Sequence, residues 1–138
     1  MNKAMKLTAA YLDAQKFYYE ADEENSFIMT GLGGLKNKGT MKVYILFDEN
    51  ERTVGLRSMD FVQFPAEKKA KMYEVCSKMN DAYRWAKFYV EEEKNTITVS
   101  DDAVVNLDSC GEELLELVHR ICSIGDDTYP EFMKAIWS

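Results

Sequence analysis

The sequence predicts an α+β fold, an antiparallel sheet flanked by helices in the order helix, strands, long helix, β-hairpin, helix. Three observations carry this reading. Met41, Val43, Ile45 and Phe47 occupy every second position, as the half-buried face of a strand requires. The extended runs are separated by short polar turns, which build a meander. At Pro65 the apolar spacing changes from two residues to three or four.

The elements follow in chain order. Ala4, Leu7, Tyr11 and Ala14 stand at helical spacing between residue 3 and about residue 14, without Gly or Pro and with Lys6, Asp13 and Gln15 opposite, so the chain opens with an amphipathic helix. Phe17 and Tyr19 alternate with Tyr18 and Glu20, Asp22 to Asn25 form a turn, and residues 26–32 supply a second strand. The strand at Met41 to Phe47 follows a glycine-rich stretch. A polar turn, Asp48 to Glu51, then leads to a strand over residues 53–64, bulged near Ser58.

Pro65 suits a first helical position, and Met72, Cys76, Met79, Tyr83 and Ala86 extend a long helix to about Lys87. Residues 88–92 and 96–105 form a hairpin, the latter opened by β-branched Thr96, Ile97, Thr98 and Val99. Ser109 and Glu112 match a capping box. Leu114, Leu117, Val118, Ile121 and Ile124 give the next helix its apolar face, Gly125 ends it, and Thr128 with Glu131 caps a short last helix through Trp137. Residues 1–138 read as a single domain, with no internal repeat or linker.

Composition narrows the function. Apolar residues make up 46% and charged residues 30% of the 138 residues, enough to build a core without metal or disulfide. A formal net charge of −7 opposes binding to nucleic-acid phosphates, and the densest basic run, Lys68, Lys69 and Lys71, is broken by Glu67 and Glu74. Residues 1–10 lack the apolar core of a signal peptide and no stretch is long enough to span a membrane. The expectation is a cytoplasmic protein that binds neither nucleic acid nor membrane. Cys76, Cys110 and Cys122 are odd in number and read as reduced thiols.

No constellation supports catalysis, a cofactor or a metal. The stretch from Gly31 to Thr40, with Gly33, Gly34 and Gly39, has the glycines of a phosphate loop. It lacks the lysine before Thr40 and leads into a strand, which favours a turn. Cys110, His119 and Cys122 lack paired ligand spacing and a fourth ligand. Cys110 beside the helix start is the most reactive candidate thiol, but Glu112 and Glu113 oppose activation and no base accompanies it. The acidic clusters fall at turns and match no calcium loop. Met72, Val75 and Met79 on the long helix read either as core or as an adaptable apolar surface for a protein partner.

Residues 44–50 (Tyr-Ile-Leu-Phe-Asp-Glu-Asn), 63–65 (Gln-Phe-Pro) and 79–90, with Asn80, Arg84, Trp85 and Lys87, resemble the YbjN family, described as bacterial sensory transduction regulators. The resemblance runs from about Leu12 to Trp137. It implies a type III secretion chaperone-like fold with a tendency to dimerise, and no family-wide catalytic residues. Gln15 and Lys16 stand where the family pattern would place a glycine before the first strand. The expected function is a non-enzymatic, protein-binding regulator or chaperone-like adaptor, homodimeric, engaging its partner through Met72, Val75 and Met79. The alternative is a minor enzyme or a nucleotide or small-ligand binder using the loop from Gly31 to Thr40.

Overall fold

The computed structural model describes residues 2–138; Met1, first residue of the segment read for a signal peptide, lies outside them. Six strands pair in one antiparallel sheet: β1 (Glu20–Asp22), β2 (Phe27–Leu32), β3 (Met41–Phe47), β4 (Thr53–Gln63), β5 (Lys87–Glu91) and β6 (Thr96–Val104). Their spatial order is β1-β2-β3-β4-β6-β5, so the late hairpin joins the early meander through β6 and leaves β5 as an edge. Three helices, α1 (Lys3–Ala14), α2 (Lys69–Ala82) and α3 (Cys110–Trp137), pack on one face.

The alternation in β3 sets that arrangement. Met41, Val43, Ile45 and Phe47 are buried in the core with Leu12 of α1, Met72 of α2 and Ile121 of α3. Lys42, Tyr44 and Leu46 point the other way. A one-residue slip would exchange the two sets, so the burial pattern itself specifies register.

Several boundaries differ from the sequence reading. The first strand begins at Glu20 rather than Phe17, because the end of α1 uses the intervening residues. The Lys16 N–H bonds the Asp13 carbonyl at 3.0 Å and the Phe17 N–H bonds the Leu12 carbonyl at 2.9 Å, the Schellman arrangement. Lys16 takes the left-handed conformation, φ 59°, at the place where a glycine was expected.

Pro65 lies just before a single 3-10 turn at Ala66–Lys68, and α2 ends at Ala82, not Lys87. Two interactions stop it. The Lys87 ammonium reaches the Asn80 and Tyr83 carbonyls at 3.1 and 3.2 Å, and Asn80 turns its side chain to the Phe88 backbone. Ala86, assigned to the helical stripe, is buried in the connection instead.

The Ser109–Glu112 capping box does not form: Ser109 makes no side-chain cap, and the Glu113 carboxylate accepts the Asn106 N–H instead, at 3.2 Å. Nor does Gly125 end the last helix. α3 continues to Trp137 through Gly125 and Pro130. A Cβ on Gly125 would stand 2.6 Å from the Met41 side chain, so this glycine provides close helix-sheet approach rather than a stop. The apolar stripe of Ile121 and Ile124 runs on through Phe132 and Ala135, which makes one continuous helix the better burial. No helix among the described residues is long and apolar enough to cross a membrane.

Candidate functional site

The residues expected to meet a partner lie mostly inside. Met72 and Met79 are 0% and 5% exposed and fill the core beneath α2, while Val75, at 8%, reaches a groove between α2 and α3 beside Lys71, Lys78 and Lys134. The helical spacing that suggested a surface is thus the spacing of the buried stripe. In the basic and aromatic segment that follows α2, Lys87 is used as a helix cap. Trp85 stands half exposed with the Arg120 guanidinium 4.5 Å from its ring centroid, and Arg120 in turn bonds buried Asp101 at 2.9 Å.

The glycine-rich loop holds an anion of its own chain. The Asn37 and Lys38 backbone N–H groups donate to the Asp126 carboxylate at 2.8 and 2.7 Å, in the manner expected of a phosphate cradle. The Asn37 amide also donates to the Asp126 carbonyl at 3.0 Å. Pro130 lacks the N–H that this carbonyl would receive within a regular helix. The loop therefore satisfies the acceptor that the proline orphans, and its Asn37 and Lys38 N–H groups are occupied by a carboxylate.

All three cysteines are free and buried. Burial pushes the Cys76 thiol up to about 12 and the Cys122 thiol up to about 11. The Cys110 sulfur is enclosed by α1, 3.6 Å from the Ala4 carbonyl and 3.7 Å from the Thr8 hydroxyl. His119 is exposed with its Nδ1 2.9 Å from the Leu115 carbonyl, and it does not converge with Cys110 or Cys122. Among the described residues no three His, Cys, Asp or Glu side chains gather as a metal site.

What the structure leaves uncovered is the outer face of the sheet. Register places Phe27 opposite Leu46, Met29 opposite Tyr44, Tyr44 opposite Arg57 and Leu46 opposite Gly55. The Phe27 and Tyr44 rings meet edge to face at 5.5 Å. At the centre Arg57 and Asp102 form an ion pair at 2.8 Å, and Val104 beyond it is 68% exposed. This surface combines aromatic and aliphatic side chains with a charge pair. Its signal was present in the alternation itself: the positions between the core residues of β3 include Tyr44 and Leu46, where a solvated face would carry polar groups.

Comparison with known proteins agrees on the fold. The model of the YbjN family, described as "Putative bacterial sensory transduction regulator", matches residues 7–134. The chain is similar to the crystal structure of YbjN from E. coli, itself described as "a putative transcription regulator", with a TM-score of 0.66 over 92% of each chain at 11% identity. At that identity the likeness is one of fold. No curated protein matches the sequence.

Proposed function

This chain belongs to the YbjN family, and from that premise we propose that it is a regulatory protein of the bacterial cytoplasm that acts by binding another protein across the uncovered face of its sheet. The observation that supports the reading is the row Phe27, Tyr44, Leu46 and Val104 around the Arg57–Asp102 pair, left bare while the opposite face carries all three helices. Aromatic anchors beside a preset charge pair give attraction together with register. An adaptor or chaperone-like role, with the partner's apolar segment laid on this face, follows from the same chemistry. Val75 in the groove between α2 and α3 is a secondary contact in this reading. The net charge of −7 favours a protein over a nucleic acid as the regulated target.

A second copy of the chain is the first partner the face would accept, giving a homodimer. Light scattering across dilution, on the parent and on Leu46→Glu with Val104→Glu, tests this. The parent is expected to show twice the chain mass at high concentration, and the double variant the monomer mass with unchanged far-ultraviolet circular dichroism. A parent that stays monomeric throughout contradicts the homodimer, and a variant that still pairs moves the interface off this face.

A further inference from the structure

The outer face is interrupted at one place, and the interruption is built by the backbone. From Ser58 to Val62 β4 advances four residues while its partner β6 advances two, from Val99 to Ile97. Within this bulge Asp60 adopts φ 56°, a left-handed conformation that ordinary side chains avoid. On its other side β4 pairs with β3 only from Tyr44 onward, so Met41 to Val43 keep β2 as a neighbour but are unpaired on the β4 side. The Ser58 hydroxyl takes over the Lys42 carbonyl at 2.8 Å. A cleft of about 430 Å³ opens between the two strands.

The charges at this cleft run against those of the molecule. Lys38, Lys42 and Lys94 line it with Asp60 as the one acidic side chain, a local excess of two positive charges on a chain of net charge −7. Lys94 is shared with Asp60 at 3.6 Å, both side chains being about half exposed, so that pair is weak. The Lys38 and Lys42 ammonium groups have no carboxylate within 4.0 Å among the described residues. The Lys38 ammonium lies 5.1 Å from the centroid of the Tyr129 ring, which holds it at the cleft without neutralising it. Tyr44 and Met59 add apolar wall beside the lysines.

We propose that this cleft binds a small phosphate monoester, with the phosphate between Lys38, Lys42 and Lys94 and the organic part against Tyr44 and Met59. Three lysines lining one cleft suit a phosphate, which accepts point charges from several directions, better than a planar carboxylate, which the fork of an arginine matches. A monoester carries about −1.5 to −2 at neutral pH, which balances the cleft. The glycine-rich loop would then contribute through the Lys38 side chain, its backbone being held by Asp126. This site shares Tyr44 with the proposed protein-binding row but lies at the bulge end of the face, away from Leu46 and Val104.

The test is an amide-resolved NMR titration of the intact chain with inorganic phosphate, glycerol 3-phosphate and AMP at constant ionic strength. Saturable shifts confined to Lys38, Lys42, Tyr44, Met59 to Phe61 and Lys94 are expected, with the two esters binding more tightly than inorganic phosphate. Lys42→Glu with Lys94→Glu should weaken binding by at least about ten-fold, and Asp60→Asn should tighten it, the melting temperatures reporting that each variant stays folded. Should the double variant melt early, Lys42→Gln alone serves, with a smaller loss expected. Shifts that never saturate, that scatter over lysines elsewhere, or that survive the charge reversal overturn the site. Equal binding of phosphate and its esters overturns the monoester assignment.

Discussion

Lys16 holds a backbone conformation that costs an L-residue about 1–2 kcal/mol and a glycine almost nothing. It does so because the Schellman bonds that end α1 need a left-handed residue there. Part of the gain from glycine is returned by a looser unfolded chain. Lys16→Gly is therefore expected to raise stability by about 0.5–1 kcal/mol, measured by urea unfolding; a loss would show that the lysine side chain contributes more than its backbone costs. The thiols give a second prediction. Cys76 and Cys122 are raised from 9.0 to about 12 and about 11 by burial, so the folded chain keeps protons that the unfolded chain releases. Their contribution to stability is complete below about pH 9 and is lost as pH rises toward 11 and 12. Cys76→Ala with Cys122→Ala should lower stability at neutral pH through the cavities but flatten its decline between pH 9 and 11; parallel curves for parent and variant would contradict the burial argument. At this scale the sequence was informative where a residue acts alone: Ile45 and Met41 were assigned inward and are buried. The sequence reading misplaced Asp126, set with Asp127 among the acidic clusters at turns: Asp126 is buried within α3, and its three hydrogen bonds depend on a loop 88 and 89 positions away.

At the scale of elements, the edges of the sheet determine what the fold can bind. β1 is three residues long and carries Glu20 and Asp22, a short charged edge that resists further pairing. β5 is longer, and α2 guards it. The Asn80 side chain accepts from the Phe88 N–H at 2.7 Å and donates to the Phe88 carbonyl at 3.0 Å, filling the two bonds that another strand would take. Asn80→Ala should unfold more easily by about 1–3 kcal/mol and associate through the freed edge beyond the level of the parent, both read by urea unfolding and light scattering. An Ala variant with the parent's stability and mass would show that the edge needs no guard. Asn80 was legible as part of a family resemblance, but its role was not, since the helical spacing of Tyr83 and Ala86 hid the end of α2. The same blindness extended to α3. Gly125 and Pro130 are ordinary stop signals, and only the packing of Met41 and the docking of Asn37 on the orphaned carbonyl explain why the helix runs through them. Elements with strict local alternation, β3 above all, were read to the residue.

For the whole molecule, one layer of helices on one side of a six-stranded sheet leaves a face whose composition is not that of a solvated surface. The buried α2 methionines show that an apolar stripe identifies the core before it identifies an interface. The proposed binding face is instead built by register, which aligns Phe27 of β2 with Tyr44 and Leu46 of β3 and these with Gly55 and Arg57 of β4. In the proposed function, family membership supplies the regulatory setting and the outer-face row supplies the means of contact. Photocrosslinking in living cells tests that link most directly, with a photoreactive residue placed singly at position 46, at position 104, or at exposed position 116 on the helix layer. The account predicts that positions 46 and 104 each trap the same protein, as a defined adduct, and that position 116 does not. Equal trapping from all three positions, or an adduct from position 116 alone, would contradict it.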